Sequence, residues 1–159
     1  MLRPAPMVLS SVSVDPMRIL EHVHGHVGWL SAVALLHPAI LLRNPRRRAH
    51  LAVAFATGFV TLAGAMGAYL YGPYRDRVKQ GLFIAAPQIG YLFERKEHLA
   101  FGAILLAWAG AIAYFAAVRA DETLRAPLRK FAFRAFAFSC ALAVCSAVLG
   151  VAVAVVRTF

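Results

Sequence analysis

Four long apolar runs divide the chain. They cover about residues 23–42, 51–71, 99–118 and 135–156, and polar segments separate them. Each run is close to the ~20 residues that cross ~30 Å of hydrocarbon as an α-helix. A membrane span must satisfy its own backbone hydrogen bonds, and the alternating ten-residue pattern of a β-barrel does not occur in this sequence. The pattern therefore predicts four transmembrane helices and no strands.

The short connections predict an antiparallel bundle. Residues 43–50 (RNPRRRAH) are so few that helices one and two must form a hairpin, and residues 119–130 separate helices three and four. Residues 74–97 combine a basic start, an apolar centre broken by Pro87 and several aromatic residues. Because aromatic and basic residues are enriched at the membrane surface, we expect this segment to lie along the headgroups, with a solvent-exposed loop as the alternative.

The expected fold class is all-α: a polytopic integral membrane protein with four transmembrane helices in an antiparallel bundle. Residues 1–22 contain several prolines and no sustained apolar stretch, so we expect an N-terminal arm that is exposed or lies at the membrane interface. Residues 23–159 then form a single domain.

Composition supports a membrane protein and argues against a nucleic-acid partner. Hydrophobic residues make up 61% of the chain and charged residues 15%, outside the usual range of soluble domains. The net charge of +10 would suggest nucleic acid for a soluble protein. Here the cations lie in short clusters beside the apolar runs, which is typical of loops that flank a bilayer, so the expected partner is the lipid bilayer.

The distribution of Lys and Arg predicts the orientation. The segments 43–50 and 119–134 share one side and hold nine cations, against eight on the other side. The concentrated arginines of the short first loop favour the cytoplasmic side for these segments. Both termini are then outside, and the Ala- and Arg-rich composition indicates a bacterial inner membrane.

Histidines are the main candidates for chemistry, because ionisable side chains inside a membrane are costly. The topology places one group at the outer face and another at the inner face. His26 and His37 are eleven residues apart, so they share one helical face at a separation of about 16.5 Å. The outer group contains His22, His24, His26 and His98, and the inner group contains His37 and His50.

This arrangement resembles small four-helix membrane b-type cytochromes. The resemblance implies two haem b groups, one between His26 and His98 and one between His37 and His50, and electron transfer across or along the membrane. It covers the first three helices. The sequence departs from the pattern because His50 and His98 lie at helix ends and helix four supplies no ligand.

Two alternatives use other features. First, carboxylates and imidazoles at the outer face could hold Zn, Cu or Fe, since they follow helical spacing in two neighbouring helices. This metal set comprises Glu21, His24, Glu94, Glu97 and His98. Second, the chain could be a non-catalytic accessory subunit of a larger membrane complex, with other proteins as partners.

Motifs of an independent enzyme are lacking in the sequence. It has no Gly-rich phosphate loop, no Ser/His/Asp set and no HExxH motif, so we do not expect an enzyme that acts on its own. Cys140 and Cys145 turn away from each other on one helix and form no zinc-binding spacing, which predicts two inert thiols.

Overall fold

The computed structural model describes residues 15–156, and over that range the chain is all-α. Four helical segments are long and apolar enough to span a membrane, which confirms the expected fold class. The helices are α1 (Pro16–Leu42), α2 (His50–Tyr74), a π-helical turn (Arg75–Lys79), α3 (Gln80–Ala85), α4 (Pro87–Arg119) and α5 (Glu122–Val156).

The four long helices form a ring. α1 packs against α2 and α5, and α4 packs against the same two helices, so α1 and α4 are diagonal to each other. The α4–α5 pair has the most extensive interface. Only two residues connect these helices, which makes them antiparallel neighbours.

Small residues bring α4 and α5 close together. Ala103, Ala107 and Gly110 of α4 are buried, and Phe136 of α5 is fully buried opposite them. A Cβ atom on Gly110 would lie 3.0 Å from two ring carbons of Phe136. The Ser139 hydroxyl donates a hydrogen bond of 2.7 Å to the Ala103 carbonyl. Such close backbone approach is the usual way in which membrane helices gain packing energy.

The helices extend beyond the apolar runs because polar caps start them. Asp15 accepts a hydrogen bond from the Met17 amide at 3.0 Å, and Pro16 follows it as the first helical residue. Residues 16–22, expected to belong to the N-terminal arm, are therefore helical. Residues 1–14 lie outside the described part of the chain.

A second cap starts α5. The Asp121 carboxylate accepts hydrogen bonds from the Thr123 hydroxyl at 2.7 Å and from the Leu124 amide at 3.0 Å. These hydrogen bonds hold the pKa of Asp121 below its usual range, and the bond from the Thr123 hydroxyl has the largest effect. Consequently α5 begins at Glu122. Most of the connection expected between helices three and four is helical.

The segment 74–97 is helical almost throughout. The π-helical turn and α3 continue α2 without a break. The helix ends at Ala85, because the next residue, Ala86, has a φ of −149° and a ψ of 74°, which are not helical. Pro87 then starts α4. The Tyr74 and Phe93 rings stack at 3.9 Å between centroids, which fixes this extension against α4. The location of the segment along the membrane surface stays a prediction.

Candidate functional site

One side of α1 faces the bundle and the opposite side carries histidines. Ser31, Leu35, Pro38 and Ala39 are buried against the other helices. The outward side presents a stripe with alternating spacings of four and three residues, all exposed. We call it the outer α1 stripe; it consists of His26, Leu30 (57% exposed), Val33 (66%), His37 and Ile40 (55%).

The two histidines expected at the inner face have different neighbours. His37 lines a shallow groove of about 470 Å³ together with residues of α2, including Leu51 and Phe55. The His50 ring instead lies against α4, at 5.4 Å from the Tyr114 ring and 6.2 Å from the Phe115 ring. The structure therefore directs the two imidazoles to different surroundings.

The two histidines expected to hold the outer haem lie on diagonal helices. His26 is exposed on α1 and His98 is exposed on α4. His98 is nine residues before the buried Ala107, which places it about 180° from the buried side of α4. Its Nδ1 donates to the Glu94 carbonyl at 2.8 Å, so Nε2 is the ring atom available to a ligand. The structure thus does not bring His26 and His98 together.

His24, rather than His26, is the histidine of this cluster that faces the bundle. It lies seven residues before Ser31 and shares its buried side. The half-buried ring packs on Gly67 of α2, where a Cβ atom would lie 3.1 Å from its Cε1. No described residue makes a hydrogen bond to its buried Nδ1. The spacing of seven residues to Ser31 was the sequence signal for this orientation. The shared face of His26 and His37 indicated His26 instead.

The carboxylates of the expected metal set have other arrangements. Glu94 forms an ion pair of 2.9 Å with Lys79, and Glu21 and Glu97 are half-buried. Over residues 15–156, no three side chains of His, Cys, Asp or Glu are placed to hold a metal ion together.

The opposite end of the bundle is held by hydrogen bonds to the loop between α1 and α2. The Arg129 guanidinium donates from Nη2 to the carbonyls of Asn44, at 2.8 Å, and Arg47, at 2.7 Å. The Tyr114 hydroxyl accepts a hydrogen bond of 2.8 Å from the Ala49 amide. These hydrogen bonds fix the backbone of the loop, whose arginine side chains are exposed.

The candidate sites are thus three: the outer α1 stripe with its two histidines, the inward His24 at one end, and the arginine-rich loop at the other. No protein-family model, no curated protein and no solved structure matches this chain.

Proposed function

We propose that this protein is a non-catalytic four-helix subunit of a larger membrane complex, and that a transmembrane helix of another protein docks on the outer α1 stripe. The observation that carries this proposal is the position of His26 and His37. Both rings are exposed, and between and beside them lie the large apolar side chains Leu30, Val33 and Ile40.

A lipid-facing histidine is unfavourable in the apolar part of a bilayer. Ionisable residues in transmembrane segments almost always face the bundle interior or a water-filled cavity. His37 lies five residues before the end of α1 at Leu42, about 7.5 Å along the axis, with apolar residues on the same face. A docked helix with a polar side chain opposite His37 satisfies the ring nitrogens, and the adjacent groove beside Phe55 gives that side chain room.

A haem at this interface is the second candidate function, and it retains the resemblance to b-type cytochromes. His26 and His37 each offer an imidazole on one face, about 16.5 Å apart along the axis. A bis-histidine haem b needs two imidazoles, and the second one would come from the docked helix. The complex would then relay electrons, with this subunit contributing one ligand to each haem.

Photocrosslinking tests the docking surface. A photoreactive amino acid at Val33, in the middle of the stripe, should give a discrete adduct with one membrane protein in native membranes. The matched control is Val148, which is also exposed but lies on α5. His37→Leu should weaken the Val33 adduct, because the partner's polar group then loses its hydrogen-bond partner. Lipid adducts alone at both positions would refute the docking proposal.

A reduced-minus-oxidised visible spectrum of the isolated complex tests the haem. His26→Ala and His37→Ala should each remove one haem signal, whereas His50→Ala should leave both unchanged because its ring lies against α4. If no α-band appears under reducing conditions, the haem proposal is wrong and the docking proposal stands on its crosslinks alone.

We further propose that the complex lies in a bacterial inner membrane with both termini outside. The structure supports a common side for the two arginine-rich segments, since Arg129 of α5 holds the loop between α1 and α2. Clustered Lys and Arg in short connections favour the cytoplasmic side.

A further inference from the structure

We propose that the end of the bundle formed by residues 43–50 and 119–134, here called the arginine end, binds the phosphate headgroup of an anionic phospholipid. The inference rests on membrane embedding but not on the docking partner or on haem. Three features carry it: a fixed loop, an uncompensated positive charge, and apolar side chains directly beside the cations.

Hydrogen bonds fix the backbone of the loop that carries three of the arginines. Asn44 shapes the turn, because its Oδ1 accepts a hydrogen bond from the Arg46 amide at 3.0 Å and its carbonyl accepts one from the Arg47 amide at 3.1 Å. Arg129 of α5 then ties the turn to the bundle through two further carbonyl hydrogen bonds. Because the backbone of the loop is already ordered, binding of an anion costs only the freedom of the exposed side chains of Arg46, Arg47 and Arg48.

The positive charge of the arginine end is largely uncompensated. It holds nine Lys and Arg against Asp121 and Glu122, a net charge of +7. The Asp121 carboxylate is engaged with the Thr123 hydroxyl and the Leu124 amide as the cap of α5. A cluster of this size at a membrane surface attracts anionic headgroups, and guanidinium groups match phosphate oxygens in a bidentate fashion.

Neighbouring apolar side chains favour a lipid over free phosphate. Leu124 precedes Arg125 and Phe131 follows Lys130 on α5; both apolar side chains are exposed, and their spacing of seven residues places them on one face of the helix. A headgroup held by the arginines places its acyl chains along these side chains. Inorganic phosphate gains only the electrostatic part of this interaction.

The test measures lipid binding to the purified protein in neutral detergent by native mass spectrometry. The probes are phosphatidylglycerol, phosphatidylcholine and inorganic phosphate. Basic residues near a membrane surface each contribute about fivefold to binding, so loss of three should weaken phosphatidylglycerol binding on the order of a hundredfold. Two triple variants remove equal charge at the two ends: R46Q/R47Q/R48Q at the arginine end and R75Q/R77Q/R95Q at the other.

We expect phosphatidylglycerol to bind more tightly than phosphatidylcholine, and only the arginine-end variant to lose this preference. Equal binding by the two variants overturns the proposal, as does equal binding of the two lipids. If inorganic phosphate competes as well as the lipid does, the site is a free oxyanion site and the lipid assignment fails.

A measurement on the unmodified protein covers the case in which the arginine-end variant does not fold. Salt screens exposed charges, so phosphatidylglycerol binding should fall steeply when ionic strength rises from about 0.05 M to about 0.5 M. Binding that is insensitive to salt would mean that apolar contacts alone retain the lipid, and would also overturn the proposal.

Discussion

Removal of one buried hydroxyl should loosen the start of α2. Tyr114 is 1% exposed, and its hydroxyl accepts a 2.8 Å hydrogen bond from the amide of Ala49, which is 2% exposed. Ala49 precedes α2 and its alanine side chain cannot cap the helix, so this hydroxyl takes the place of a cap. In Tyr114→Phe the Ala49 N–H is left buried without a partner, which should lower the free energy of unfolding by about 1–3 kcal/mol.

Unfolding by sodium dodecyl sulfate in mixed micelles measures this change. Tyr91→Phe is the matched control, because Tyr91 is 57% exposed and its substitution should change the free energy by less than about 0.5 kcal/mol. Amide hydrogen exchange should also become faster at Ala49. If Tyr114→Phe and Tyr91→Phe have the same free energy of unfolding and exchange at Ala49 is unchanged, the Tyr114 hydroxyl does not cap α2 and the reasoning is refuted.

Three further predictions concern packing, pH and orientation. Gly110→Ala should lower the free energy of unfolding by about 1–3 kcal/mol because the new methyl group meets a buried ring of α5, whereas Gly58→Ala, which points into open space, should be neutral or raise it by up to about 1 kcal/mol. The pKa of Asp121 is lowered in the folded state, so its stabilising effect should be present above the ordinary Asp pKa of about 4 and be lost as the pH falls through the lowered value. The thermal unfolding temperatures of Asp121→Ala and of the unmodified protein should therefore differ near neutral pH and become equal in acid. In intact cells, and in a background freed of the two native thiols, an impermeant thiol reagent should label Gln80→Cys but not Arg46→Cys, and the reverse result would contradict the proposed orientation.

The number and class of the helices could be read from hydropathy, but their ends could not. Apolar runs report the thickness of the hydrocarbon, whereas a helix ends where its backbone finds other hydrogen-bond partners. The caps Asp15 and Asp121 therefore set the starts of α1 and α5, well outside the apolar runs. An aspartate directly before Pro16 was a usable signal for the first of these starts.

The orientation of the histidines was harder to predict for a physical reason. Lipid and protein core are both apolar, so the outward and inward faces of a transmembrane helix differ little in hydrophobicity. The eleven-residue spacing places His26 and His37 on one face, and both are exposed, but it does not say whether that face meets the core or the lipid. Small or polar residues were the better guide, since Ser31 marks the buried side that also holds His24.

The ring of helices has a consequence for biosynthesis. α1 leaves the ribosome before α2 and α4 do, yet one of its two neighbours is α5, which is made after them. The small-residue face of α4 likewise remains open until α5 arrives. The bundle therefore closes only after α5 has been made, and a nascent chain stalled before α5 leaves the inward faces of α1 and α4 in contact with lipid or with insertion factors.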